Sequence, residues 1–144
     1  MSIDFDNFNT KFRMEELLII QTDYWRWSVR PIQCTVGAGV LSLKRPAKAM
    51  SELTEEEGAD LIYIMKLVES ALMRTFNYDK INYLMLMMID FHIHFHVIPR
   101  YSRDIEFSGQ IFKDLGWPKP PLLEAEPVSD KVLISIRDSL SNYC

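Results

Sequence analysis

His92-Ile93-His94-Phe95-His96-Val97-Ile98 is the stretch on which the reading of this chain turns, and it holds all three histidines of the protein. In an extended chain alternate side chains point to opposite faces. His92, His94 and His96 then share one face while Phe91, Ile93, Phe95 and Val97 share the other. The odd-numbered face is core material. The even-numbered face presents three imidazoles with no apolar residue between them. A single histidine is commonly a satisfied polar residue at the edge of a core. Three together are poor core, because each carries two ring nitrogens that need partners. Imidazole, with an ordinary pKa of about 6.5, is available near neutrality both as a nucleophile and as a donor. A row of imidazoles therefore suits phosphoryl or nucleotidyl transfer.

A metal site is the chemical rival, since histidine is the commonest metal ligand. Same-face neighbours on a strand lie about 6.6–6.8 Å apart, so the outer pair spans about 13 Å. Convergence on one ion would need unusual bending. There is no fourth histidine, and nothing in the spacing of Asp90, Asp104 or Glu106 selects them as further ligands. The expectation is no metal and no cofactor.

Working outward, Ile81 to Ile89 reads as a strand apolar on both faces, as a central strand covered on both sides would be. The segment before it reads as a long helix. Thr54 and Glu57 fit a capping box, Glu55 and Glu56 suit the positive end of the helix dipole, and Leu61, Ile64, Met65, Val68, Leu72 and Phe76 form one apolar face. Three short strands precede the helix: Leu17–Ile20, Tyr24–Val29 with Trp25, Trp27 and Val29 alternating, and Val40–Leu43 after the glycines at 37 and 39. Beyond Arg100 the chain reads as irregular, and Trp117-Pro118-Lys119-Pro120-Pro121 is neither helix nor central strand. A shorter helix is predicted over about Asp130–Leu140 with Ser129 as its cap. The pattern is α+β, mostly antiparallel, in a single domain over residues 1–144.

The bulk composition narrows the function classes. With 48% hydrophobic residues in 144, the chain can bury a core without disulfides. A net charge of −4 and a sequence pI near 5.4 argue against nucleic-acid binding, which needs a basic stripe. A small anionic ligand stays open, because a few donors can bind phosphate on an acidic protein. Cys34 and Cys144 form no motif, the first residues show neither the basic start nor the apolar run of a secretory signal, and no apolar run could span a bilayer. A soluble, cytoplasmic protein is expected, with no membrane partner.

The triad and the residues around it resemble a known family. His92 to Ile98 is similar to the signature of the histidine-triad (HIT) superfamily, in which three histidines alternate with apolar residues. Pro99-Arg100 looks like the Pro-Arg that follows the triad in many bacterial members. Weaker likenesses run in order along the chain: Gly39-Val40-Leu41 leading to Lys44-Arg45, Ser51-Glu52-Leu53-Thr54, and Lys80-Ile81-Asn82-Tyr83. The resemblance, to bacterial diadenosine polyphosphate hydrolase-like HIT proteins, implies a five-stranded antiparallel sheet with one long and one shorter helix, and a homodimer. It also implies a chemistry. His94 would attack the α-phosphorus of a nucleotide ester, anhydride or phosphoramidate, and His92 and His96 would support the phosphate oxygens and leaving group. The expected partner is a nucleotide or dinucleoside polyphosphate substrate. Many members carry Gln, Asn or Ser three or four residues before the triad; here stand Met88 and Ile89. Histidines that many members place further upstream are replaced by Gly39 and Pro46.

Other candidates are weaker. Arg100 and Asn82 could contact phosphate, although a lone arginine after a strand and a turn-adjacent asparagine often serve structure. Trp25 and Trp27 read as core or subunit contact, Met85, Met87 and Met88 as adaptable packing, Lys44-Arg45 as an exposed strand end, and Cys34 as uncatalytic. The expected activity is that of a nucleotide phosphate hydrolase or nucleotidyl transferase acting through His94. Two rivals stand beside it: a nucleotide-binding protein with little or no turnover, and a metal-dependent hydrolase.

Overall fold

Five antiparallel strands form the sheet that carries the triad. In the computed structural model, which describes residues 3–144, they are β1 (Leu18–Gln21), β2 (Trp25–Val29), β3 (Gly39–Leu43), β4 (Lys80–Leu84) and β5 (His94–Arg100), in the spatial order β1-β2-β3-β5-β4. Three helices accompany them: α1 (Ile3–Lys11), α2 (Glu55–Phe76) and α3 (Asp130–Ser141). A separate hairpin of β6 (Ile105–Phe107) and β7 (Gln110–Phe112) follows β5. The α+β class and the five-stranded antiparallel sheet are as expected.

Side-chain alternation divides the sheet into two different faces. Trp25, Trp27 and Val29 of β2, Leu41 and Leu43 of β3, and Val97 of β5 join Leu61, Ile64, Val68 and Leu72 of α2 and Leu133, Ile136 and Leu140 of α3 in the main apolar cluster. The Trp25 indole donates to the Glu57 carbonyl at 2.8 Å, tying β2 to the first turn of α2. That turn is closed by the Thr54–Glu57 capping box, and α2 ends on Asn77 in the left-handed conformation. Ser129 caps α3. The opposite face packs under α1, where Phe8, Phe12, Met14 and Val40 form a second buried cluster. Gly39 fits between the faces, since a Cβ there would lie 2.5 Å from the Trp27 ring nitrogen.

The structure corrects several expectations. Ile81–Ile89 is not one central strand. β4 ends at Leu84, Met87 takes a positive φ of 56°, and the chain leaves the sheet. Extended pairing cannot continue through that left-handed residue. β4 is an edge strand, and the central strand is β3, all five residues of which are buried. Phe91, assigned to the core by alternation, precedes β5 and is exposed. The stretch after Arg100 contains the β6–β7 hairpin, turned at Ser108-Gly109, both with positive φ, as a two-residue hairpin turn requires. Helix α1 was not anticipated, although Phe5, Phe8 and Phe12 fall at helical spacing.

Candidate active site

β5 places His94 and His96 in the sheet opposite Ser42 and Val40 of β3. His92 lies just before the strand, yet keeps its alignment. The Ile93 N–H donates to the Ala47 carbonyl and its carbonyl accepts from Leu43 N–H, so the extended backbone continues. All three imidazoles therefore share one face, as predicted. That face is not open. Phe5, Phe8 and Phe12 lie against them, with ring centroids 4.7 Å apart for Phe5–His92, 4.9 Å for Phe8–His94 and 5.8 Å for Phe12–His96. His92, His94 and His96 are 3%, 2% and 7% exposed, which makes them the polar floor of an aromatic layer.

Each ring's hydrogen bonds settle where its proton sits. His94 Nδ1 lies 2.6 Å from the His92 carbonyl oxygen, which can only accept, so Nδ1 carries the proton and Nε2 keeps its lone pair. His92 Nε2 donates to the Leu43 carbonyl at 2.7 Å, and its buried Nδ1 has no partner among the described residues. His96 Nδ1 receives the Arg30 Nε–H at 3.2 Å, which leaves its proton on Nε2. Burial, ahead of every other cause, lowers the pKa of all three. His92 and His96 fall to about 4, and His94 is also held below the usual imidazole value. At neutral pH the site holds three uncharged rings.

A cavity of about 640 Å³ opens beside two of them, His94 and His96, and His92 is not part of its wall. The wall is mostly apolar: Phe12 from the end of α1, Pro31 and Ile32 after β2, Leu86 to Ile89 from the loop before β5, and Leu123. Its charged residues are Lys11, Arg30, Asp90 and Glu124, with Lys11 and Asp90 joined at 2.8 Å. Met88 and Ile89 are 80% and 79% exposed, on the cavity wall and outside the core.

The remaining sequence candidates lie elsewhere. Arg100 Nε pairs with Asp114 at 2.7 Å, while its Nη1 donates to Asn82 and its Nη2 to the Lys119 carbonyl. Arg100 is only 4% exposed, and neither it nor Asn82 lines the cavity. The structure brings these two together as a brace for the segment after β7. Trp25 and Trp27 are fully buried core. The exposed Arg45 pairs with the buried Glu57 carboxylate at 2.7 Å, and Cys34 is buried with its thiol pKa raised by burial. Among the described residues, no group of three or more His, Cys, Asp or Glu is placed to hold a metal ion, and no helix is long and apolar enough to cross a membrane.

Arg30, Lys11, Phe8 and Phe12 are the site residues that sequence reading missed, and Asp90 entered it only as a possible metal ligand. Arg30 continues the even register of Arg26 and Ser28, the face that packs under α1. Counting β2 alternation past Val29 would have placed it there. The phenylalanines were legible as a helical stripe; Lys11 and Asp90 carried no such signal.

Residues 38–103, from just before β3 to just after β5, match the HIT domain family. Among solved structures, a histidine triad protein from Sinorhizobium meliloti is 23% identical, with 92% of this chain and 93% of that one covered and a TM-score of 0.72. A histidine triad protein from Bradyrhizobium japonicum is 21% identical over 91% and 93% of the two chains, with a TM-score of 0.69. A hypothetical histidine triad nucleotide-binding protein from Sulfolobus tokodaii is 17% identical over 88% and 82%, with a TM-score of 0.66. No curated protein matches. The alternating triad, the HIT-domain match over residues 38–103 around it and the five-stranded antiparallel sheet together show that this chain has the fold of histidine-triad proteins.

Proposed function

We propose that the protein is a nucleotide phosphate hydrolase or nucleotidyl transferase that cleaves at the α-phosphate through a covalent nucleotidyl group on His94. The observation that carries this reading is the 2.6 Å hydrogen bond from His94 Nδ1–H to the His92 carbonyl. It presents Nε2 as an unprotonated nucleophile in a neutral ring that also lines a cavity. Its lone pair forms the N–P bond as the α-phosphorus releases its leaving group. Water then attacks phosphorus, the electron pair of the N–P bond returns to Nε2, and the proton lost by the water passes to solvent. His96, on the same cavity wall, presents an Nε2–H donor for the phosphate or leaving group. His92 acts one step back, fixing the His94 tautomer through its backbone carbonyl. A nucleotide fits the space, being comparable to the small-molecule pockets of about 300–1,000 Å³ typical of proteins. The nucleotide-binding description of the Sulfolobus tokodaii relative supports the same ligand class.

The test is rapid acid or denaturant quench during turnover of a dinucleoside polyphosphate, followed by mass spectrometry of the intact chain. A nucleoside monophosphate adduct mapped to His94 is the expected result. Steady turnover with no adduct, and unchanged by His94→Ala, would overturn it.

A second reading has its own observation. Helix α1 seals the triad so closely that His94 is 2% exposed, which favours nucleotide binding with slow or no turnover. Tight binding of a nucleoside monophosphate with no product from any phosphate linkage would select that reading.

A further inference from the structure

Arg30 stands in an unusual electrostatic position. It is half-buried on the cavity wall, and no carboxylate lies within ion-pair distance among the described residues. Its Nη1 donates to the carbonyls of Ile32 at 2.9 Å and Leu123 at 2.8 Å, which pin the guanidinium across the cavity rim. Its Nε donates to His96 Nδ1 at 3.2 Å. Guanidinium does not deprotonate in proteins, so a full positive charge is held against an imidazole in a partly desolvated wall.

Two consequences follow for His96. Accepting from Arg30 places its proton on Nε2, and a second proton on Nδ1 would both displace that bond and meet a like charge. The other groups facing His96 are Phe12 just after α1, His94 beside it, and the Lys11–Asp90 pair, whose opposite charges largely cancel. Burial first, and the Arg30 charge next, hold His96 at about 4. His96 is therefore a hydrogen-bond donor at neutral pH and not a source of a proton.

We propose, resting on the reading of His94 as nucleophile, that Arg30 is a positioning residue that selects the leaving group: it keeps His96 as an uncharged Nε2–H donor and adds a fixed cation, so the site favours substrates whose leaving group departs as an anion. With a nucleoside polyphosphate, the His94 Nε2 lone pair forms the N–P bond while the bridging P–O bond breaks. The electron pair goes to the departing phosphate oxygen, which leaves as an anion beside His96 Nε2–H and the Arg30 guanidinium. No proton is needed. An amine leaving from a phosphoramidate must instead take a proton as the P–N bond breaks, and neither Arg30 nor neutral His96 supplies one. General-acid assistance contributes about 10²–10⁴-fold where a leaving group needs it, so discrimination on that scale is expected.

The experiment compares diadenosine tetraphosphate with an adenosine 5′-phosphoramidate of an aliphatic amine, from pH 5.5 to 8, in wild type, Arg30→Gln and Arg30→Lys. Alongside it, ¹⁵N NMR of the resting protein reads the His96 tautomer and titration. Wild type should favour the anhydride by about a hundredfold or more. Arg30→Gln should move the His96 titration up toward the ordinary imidazole range and narrow the preference about tenfold at pH 6, one pKa unit being a tenfold change in charged fraction. Arg30→Lys, which keeps the charge, should retain most of the preference. Equal cleavage of both substrates by wild type would overturn the proposal, as would an Arg30→Gln protein that is folded by circular dichroism yet unchanged in His96 titration and substrate ratio. If Arg30→Gln does not fold, the wild-type ratio and Arg30→Lys decide. If wild type cleaves neither substrate, the nucleophile reading fails by itself. NMR then still judges Arg30's hold on His96, and a protonated His96 Nδ1 at neutral pH would refute that hold.

Discussion

At the scale of single residues, three neutral imidazoles under an aromatic layer make the site sensitive to both substitution and pH. His94→Ala is expected to abolish nucleotidyl transfer. His96→Ala removes a donor to a charged group, worth about 1.5–3 kcal/mol, and should slow the chemical step about 10- to 100-fold. His92→Ala should slow turnover less but cost more stability, since its ring fills the space between Phe5 and Phe8; turnover and urea midpoints of the three variants check this order. The pH dependence has a definite sign. Unfolded imidazoles titrate near 6.5, whereas folded His92 and His96 titrate at about 4. Between those values the unfolded chain binds protons that the folded chain refuses. Stability is therefore full above about pH 6.5 and falls as pH drops toward 4, by about 3 kcal/mol per group across the window. Urea midpoints equal at pH 7 and pH 5 would contradict the burial argument. Met88 offers a gain in place of a loss. It sits exposed on the cavity wall, where Met88→Gln adds a phosphate donor without disturbing the core. Such a bond, made in the transition state, should raise the rate about tenfold or more, and an unchanged kcat would show that residue 88 does not reach the phosphate.

Among the elements, α1 is the one that turns a row of histidines into a buried site. Its phenylalanines cover the triad, and Lys11 at its end clasps Asp90 across the cavity mouth. Phe8 touches both His92 and His94 and is 2% exposed, so Phe8→Ala should destabilise the protein by about 3–5 kcal/mol. The same change admits water to His94, raising its pKa toward the ordinary imidazole value. Histidine NMR titration of Phe8→Ala, with a denaturant melt, reads both effects, and a His94 titration identical to wild type would separate α1 from the site's electrostatics.

On the scale of the whole molecule, the sheet ends on two edge strands, β1 and β4, and the loop after β4 leaves Leu86, Met88, Ile89 and Phe91 more than half exposed. An edge strand flanked by a run of apolar side chains is a surface that a second copy covers well. A homodimer is the expected solution state, seen as twice the 16.9 kDa chain mass in sedimentation equilibrium at micromolar concentration. A sedimenting species of one chain mass at those concentrations would rule it out.

Local sequence decided the elements whose signals are local. The Thr54–Glu57 capping box, the stripe on α2, the Ser129 cap and the shared face of His92, His94 and His96 depend only on spacing and on nearby backbone, and all appear where the residues put them. The triad was legible for that reason. Tertiary structure decided whatever depends on residues far apart in sequence. Ile81–Ile89 has the composition of a buried strand, yet it breaks at Met87 because its second half closes a cavity instead of pairing. Arg100 looked free to meet phosphate until Asp114, fourteen positions on, took its guanidinium. Arg30 lies 66 positions before the histidine whose proton it places, so no local pattern joins the two. Alternation tells which way a side chain points; only the folded chain determines what it meets there, and the charge and protonation of a buried group depend on that meeting.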